Sequence, residues 1–173
     1  MERMSCLSGR VRLFFNSNSF LNRTVLGGWP VNGIFAGQSG FPFTVTTSGT
    51  AINTVASASR ANVVPGVPQY PTKKSVSEWF NPSAFAVPTA YNWGNSGRNI
   101  LHGPDEINLD SSAEKKFPIT EGRKLLFRAE FFNMFNYPQF QIPASVIASS
   151  GVGNITATSN TARQIRFTLR LTF

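Results

Sequence analysis

The chain has 173 residues, room for one ordinary domain or a little more, and its one Cys and one His leave no material for a disulfide framework, a zinc cluster or a Cys/His catalytic pair. Charged residues make up only 14%, where about 25% is usual, and fourteen Gly and eleven Pro spread along the whole length exclude a long helix or coiled coil. The net charge of +8 comes from scattered Lys and Arg without finger spacing, an RNP-like stretch or a basic amphipathic helix, so no nucleic-acid partner is expected.

The first residues, Met1 to Arg23, contain no apolar run of secretory-signal length, and Cys6 lacks the small-residue approach of a lipid-attachment site. A strand is expected around residues 11–15. From Trp29 the chain alternates, with Trp29, Val31, Gly33, Phe35 and Gly37 opposing Pro30, Asn32, Ile34, Ala36 and Gln38. This strand is expected to continue through residues 41–45, bent at Ser39-Gly40. Residues 46–106 show little periodicity, are rich in Ser, Thr, Asn, Gly and Pro, and read as one long structureless connection.

Periodicity returns at residues 107–117, where Ile107, Leu109, Ser111, Ala113, Lys115 and Phe117 share one parity. Residues 118–123 carry Pro118 and Gly122 and read as a hairpin turn. After it, Leu125, Phe127, Ala129 and Phe131 alternate with Lys124, Leu126, Arg128 and Glu130. A second long connection spans residues 137–162. The last segment is the clearest: Ile165, Phe167, Leu169, Leu171 and Phe173 alternate strictly with Gln164, Arg166, Thr168, Arg170 and Thr172. A strand of about ten residues is what a tilted membrane strand needs. Short turns on one side and long loops on the other are the pattern of membrane barrels. With the C-terminus at the periplasmic rim, both long connections fall on the extracellular side.

Several stretches then match a known family. They are Gly27-Gly28-Trp29-Pro30-Val31-Asn32-Gly33-Ile34, Gln38-Ser39-Gly40-Phe41-Pro42-Phe43 and Trp79-Phe80-Asn81-Pro82-Ser83-Ala84-Phe85, followed by Gly94-Asn95-Ser96-Gly97-Arg98-Asn99 and Gly103-Pro104. The most specific is Phe127-Arg128-Ala129-Glu130-Phe131-Phe132-Asn133-Met134-Phe135-Asn136-Tyr137-Pro138, and Arg163-Gln164-Ile165 leads into the terminal Phe173. The chain resembles the C-terminal part of an Oar-like TonB-dependent outer-membrane receptor of the Acidobacteria type. Two departures stand out: Ser111-Ser112-Ala113-Glu114-Lys115-Lys116 replaces a more regular strand, and Pro30 occupies a ladder position.

The resemblance implies an all-β fold: the C-terminal antiparallel strands of a large transmembrane β-barrel, here about four or five, with long extracellular loops. Residues 1–24 match poorly and read as a remnant, and residues 25–173 read as the barrel segment. The implied function is energy-coupled uptake of a bulky ligand, with the segment non-functional alone, as a gene fragment or one portion of a split barrel. Its implied partners are the outer-membrane barrel assembly machinery, the remaining barrel and plug, TonB only through that plug, and lipid or lipopolysaccharide. No cofactor or metal is expected, and the implied location is the outer membrane. The alternative is a soluble all-β structural or adhesive module binding through its long loop.

Individual residues carry weighed expectations. Ile165, Phe167, Leu169, Leu171 and Phe173 read as an outer-membrane assembly signal, against an ordinary edge strand of a soluble sandwich. Arg128, Glu130, Arg166 and Arg170 lie on the parity that would face a barrel lumen. Trp79, Tyr91 and Trp93 read equally as ligand-contacting loop residues and as interfacial anchors. His102 has no metal partners in sequence, Asp105, Glu106 and Asp110 fit no calcium-loop spacing, and Ser96 sits in no nucleophile elbow. No enzymatic activity is expected.

Overall fold

The computed structural model describes residues 4–13, 27–48 and 58–173. In chain order its strands are β1 (Met4–Leu13), β2 (Trp29–Gln38), β3 (Pro42–Phe43), β4 (Thr46–Ser48), β5 (Ala58–Arg60), β6 (Asn62–Val63), β7 (Phe85–Ala86), β8 (Leu101–His102), β9 (Glu106–Thr120), β10 (Arg123–Phe132), β11 (Val146–Ile147) and β12 (Gln164–Thr172). The five long ones form a single antiparallel sheet in the order β1-β2-β9-β10-β12, which is not closed into a barrel. The long connections β2→β9 and β10→β12 leave this sheet at one end, and the β9–β10 turn and the C-terminus lie at the other.

The strand expected at residues 11–15 begins earlier than the sequence suggested. β1 pairs with β2 without interruption from Met4↔Gln38 to Leu13↔Trp29; Phe14 and Phe15 lie outside the described residues. Alternation in β1 is blurred because Ser5 and Gly9 take the positions on either side of Leu7 on one face. At the other hairpin the turn is tighter than residues 118–123: β9 runs on through Pro118 to Thr120, and only Glu121 and Gly122 connect it to β10. Gly122 has φ +92, a conformation that glycine adopts without strain. A bulge absorbs one extra residue here, since Arg123 pairs with Thr120 but Lys124 pairs with Pro118. Pro118 falls where β9 has a neighbour on one side only, because the β2–β9 ladder begins at Val31↔Ala113. The same limit accommodates Pro30, which sits one residue before that ladder starts.

The long connection of residues 46–106 is not structureless. Three small sheets, β3–β8, β4–β5 with β11, and β6–β7, enclose a core of Phe43, Val45, Ala61, Phe80, Ala84, Phe85, Leu101 and Ile147. Strands of two or three residues are too short to display alternation, so the sequence pattern could not reveal them. Residues 41–45 do not extend β2 either: the chain breaks at Ser39–Gly40, and β3 pairs instead with β8. The second long connection joins this unit. β11 lies parallel to β4, Thr46 N–H donates to Ser145 O (2.9 Å), Trp79 N–H to Gly153 O (2.8 Å) and Ile155 N–H to Val76 O (2.7 Å).

Two glycines are required by close backbone approach. A Cβ on Gly40 would lie 1.9 Å from Gly103 O, and one on Gly94 would lie 1.8 Å from Arg60 O. Gly40→Ala should therefore force the β3–β8 strap apart and cost about 1–3 kcal/mol, the range for overpacked sites. Limited proteolysis in detergent should show residues 39–105 cleaved faster in Gly40→Ala, while Gly97→Ala, whose Cβ meets nothing within 4 Å, behaves as the wild type.

Candidate functional site

Register converts the period-two alternation into two chemically distinct faces. Across the sheet, Val11, Val31, Ala113, Ala129 and Phe167 form one cross-strand row, and Leu7, Phe35 and Leu109 form another. Leu125 stands opposite both Phe117 and Leu171, Phe127 opposite Leu169, and Phe131 opposite Ile165. The outer strands of this face are exposed instead of packed, with Leu7 74%, Val11 61%, Phe167 and Leu169 67% and the terminal Phe173 90% accessible, while the central strands are half-buried and Ala129 is buried. Stacking orders part of the face, with the Phe127 ring 6.1 Å from Phe167 and edge-on to Trp29 at 5.9 Å. A soluble sheet would bury such a contiguous face.

The opposite face is polar. It carries Arg128, Glu130, Arg166 and Arg170 together, as their shared parity predicts: Glu130 pairs across strands with Arg166, Arg128 with Thr168, and Arg170 with Leu126. Arg128 and Glu130 form an ion pair at 3.3 Å. A groove of about 180 Å³ runs along this face between Asn32, Asp110, Ser112, Arg128 and Glu130.

One charge sits on the apolar face. Lys115 shares its parity with Leu109 and Phe117, yet it is only 8% accessible. Its ammonium donates to Gly27 O and lies 5.7 Å from the Trp29 ring centroid and 5.4 Å from that of Phe117. A carbonyl and two aromatic faces thus replace water around the cation. In the sequence Lys115 shows only as an isolated Lys on the parity of Ile107, Leu109 and Phe117.

The loop end is organised by asparagines. Asn133 and Asn136 adopt left-handed conformations, φ +50 and +53, which Asn tolerates better than most residues. The Asn133 side chain accepts from Tyr137 N–H (2.9 Å) and donates to Tyr137 O and Thr161 O (both 3.2 Å), while its N–H donates to Asp110 Oδ1 (2.9 Å). Asn136 accepts from Arg163 N–H at 3.0 Å. The run Phe131-Phe132-Asn133-Met134-Phe135-Asn136 therefore ends β10 and staples it to the approach of β12. A reciprocal pair does the same in the loop unit: Asn95 N–H donates to the Asn62 side chain, whose neighbour Val63 donates its N–H to Asn95.

The remaining sequence candidates separate. Trp79 is half-buried, its indole donates to His102 O at 2.9 Å, and Lys74 lies 5.2 Å over its ring. Tyr91 and Trp93 are 79% and 67% accessible, and Tyr91 holds a left-handed φ of +66 in a turn closed by Asn92 N–H to Thr89 O. His102 gives its N–H to the Tyr70 hydroxyl. Asp105, Glu106 and Asp110 each accept from loop groups: Gly40 N–H, the Ser159 hydroxyl, and Asn133 N–H with the Asn108 amide. Among the described residues no three His, Cys, Asp or Glu gather as a metal site. Ser96 is buried in the loop unit, its N–H bonded to Ala61 O. A cleft of about 310 Å³ opens where the loops meet the sheet, between Phe41, Glu106, Phe140 and Ile142.

A model of the family described as "Outer membrane beta barrel domain" matches residues 7–166. The chain belongs to the outer membrane beta barrel domain family. No curated protein and no solved structure matches it. An outer-membrane barrel accounts for both faces of the sheet: strands that alternate apolar and polar are what a lipid-facing exterior and an aqueous interior require. The chain is thus located in the outer membrane, and a soluble module is not favoured, since the match begins in β1 and continues into β12.

Asn133→Ala should remove three side-chain hydrogen bonds and force a Cβ residue without polar compensation into a left-handed φ, at a total cost of about 2–4 kcal/mol. Asn133→Gly should recover roughly 1 kcal/mol of that loss. Denaturant unfolding in detergent, with proteolysis at residues 133–163 as the local reporter, checks both.

Proposed function

We propose that the chain is the C-terminal barrel segment of an Oar-like TonB-dependent outer-membrane receptor, whose intact form takes up a bulky ligand with energy supplied across the periplasm. The observation that carries this reading is the distribution of connections. The two longest connections leave one end of the sheet, and the two-residue β9–β10 turn, the β1–β2 connection of residues 14–28 and the terminal aromatic lie at the other. Long extracellular loops and short periplasmic turns are the arrangement of outer-membrane barrels, so the loop end is extracellular and the turn end periplasmic. The packed loop unit, with Tyr91 and Trp93 exposed on it, forms part of the receptor's outer mouth. Trp79 braces that unit through its indole bond to His102 O.

In this reading the segment does not work alone, and the open sheet supports that. β1 and β12 each expose an unpaired edge, and unsatisfied backbone groups in hydrocarbon cost several kcal/mol each. β12 is accessible along its whole length, as suits a strand that is first presented to the barrel assembly machinery and then paired with the rest of the barrel. In that role Ile165, Phe167, Leu169, Leu171 and Phe173 form the recognition face. Arg128, Glu130, Arg166 and Arg170 line the lumen. The plug, and TonB through it, meet this segment only in the assembled receptor, and lipid or lipopolysaccharide covers the apolar face. The segment performs no chemistry of its own and needs no cofactor.

Two substitutions on adjacent residues test the face assignment. Leu169→Arg should weaken partitioning into phospholipid bilayers by about 2–4 kcal/mol if the site lies near the midplane, and Thr168→Arg should change it little. Equal penalties would overturn the assignment. For the assembly role, the exported chain carrying a photo-crosslinker at Leu171 should label the assembly machinery, and deleting Phe173 should cut that yield severalfold. An unchanged yield would sink the signal reading.

A further inference from the structure

The polar face carries its charge in zones. At the extracellular end the carboxylates of Asp105, Glu106 and Asp110 are engaged by loop donors. In the middle, acid and base balance: Glu114 stands across from Arg128, Glu130 across from Arg166, and Arg128 and Glu130 pair at 3.3 Å. At the periplasmic end Lys116 and Arg170 flank Leu126 in one cross-strand row, and Lys124 occupies the next row. All three are exposed. No Asp or Glu shares those two rows, which contain otherwise only Leu126, Pro118 and Thr172. Among the described residues none of these three cations forms an ion pair.

We propose that Lys116, Lys124 and Arg170 form a docking site for an acidic polypeptide segment held inside the barrel at its periplasmic mouth. The proposal rests on the reading of the polar face as the lumen wall. Strand spacing places Lys116 and Arg170 about 10 Å apart, with Lys124 about 7 Å along β10 from the row between them. An extended segment with carboxylates on alternate residues repeats about every 7 Å and can meet Lys124 and the next row in register. The half-buried Leu126 offers an apolar contact at the centre. Anionic lipid headgroups lie against the other face of the same strands, which selects a polypeptide in the lumen as the occupant. Three like charges this close repel one another, and an acidic partner relieves that repulsion while fixing its register.

The test uses the full chain in zwitterionic detergent micelles and a labelled peptide of alternating Glu and Ser, read by fluorescence anisotropy. The wild type should bind it at low salt and lose it as salt is raised. The triple variant K116Q/K124Q/R170Q should bind about tenfold more weakly. K73Q/R98Q/R163Q removes the same charge from exposed positions outside the patch and should stay within about twofold of the wild type. The reversal K116E/K124E/R170E should instead capture a peptide of alternating Lys and Ser, a gain that a merely misfolded variant cannot show. Equal weakening in both neutralised variants, or no capture by the reversed one, would overturn the proposal. So would tighter binding of the patch to anionic lipid vesicles than to the acidic peptide. The Leu169 and Thr168 comparison reports on the lumen assignment without any peptide, so failure of that reading is seen separately.

Discussion

The structure depends on one requirement: in hydrocarbon, every backbone N–H and C=O must find a partner inside the protein. A sheet meets it only along its interior ladders. β2, β9 and β10 are flanked on both sides, and β1 and β12 on one. Because the sheet has five strands, β1 and β12 run in the same direction. A ring made by joining β12 of one copy to β1 of the next would therefore put parallel neighbours into an otherwise antiparallel wall. Antiparallel closure calls for strands from elsewhere, in odd number. The sheet is thus geometrically regular, with both edges open among the described residues.

The loop half is governed by different physics. Away from lipid, the loop unit buries Phe43, Val45, Phe80, Phe85 and Leu101 in its own small core and pairs its backbone through side chains. Asn81, Asn95, Asn133, Asn136 and Asn160 each bond main-chain groups of other loop segments or of their own turn. Amide side chains carry both donor and acceptor, so one residue can complete two strands of irregular backbone. That is why a chain with only 14% charged residues still builds ordered loops. Lys115 is the exception within the sheet: a cation on the apolar face, toward the turn end, is sheltered by Trp29, Phe117 and a carbonyl.

Much of the sheet was legible because period two is a local signal. Ile165 to Phe173 declares its faces without knowing its neighbours, and β10 does so up to Phe132. The hairpin between β9 and β10 was visible from Pro118 and Gly122, but the bulge that lets Pro118 remain in the strand was not. β1 was obscured by Ser5 and Gly9, small residues that a barrel wall accepts and an alternation count does not reward. In the loops the residue types were visible and their partners were not: Gly40 needs Gly103, Asn62 needs Asn95, and Asn133 needs Asp110 and Thr161, at separations of 28 residues or more in all but the Asn133–Asp110 contact, which spans 23.

The sequence by itself determined the fold class, the two chemical faces of the long strands and the sharing of one face by Arg128, Glu130, Arg166 and Arg170, because alternation along a strand depends only on backbone geometry. Only the tertiary structure decided which residues stand beside one another across strands. Register revealed the aromatic shelter of Lys115, the balance of the central charges and the unbalanced trio of Lys116, Lys124 and Arg170. It also turned two apparently shapeless connections into one packed unit, since contacts between distant short strands leave no local period to read.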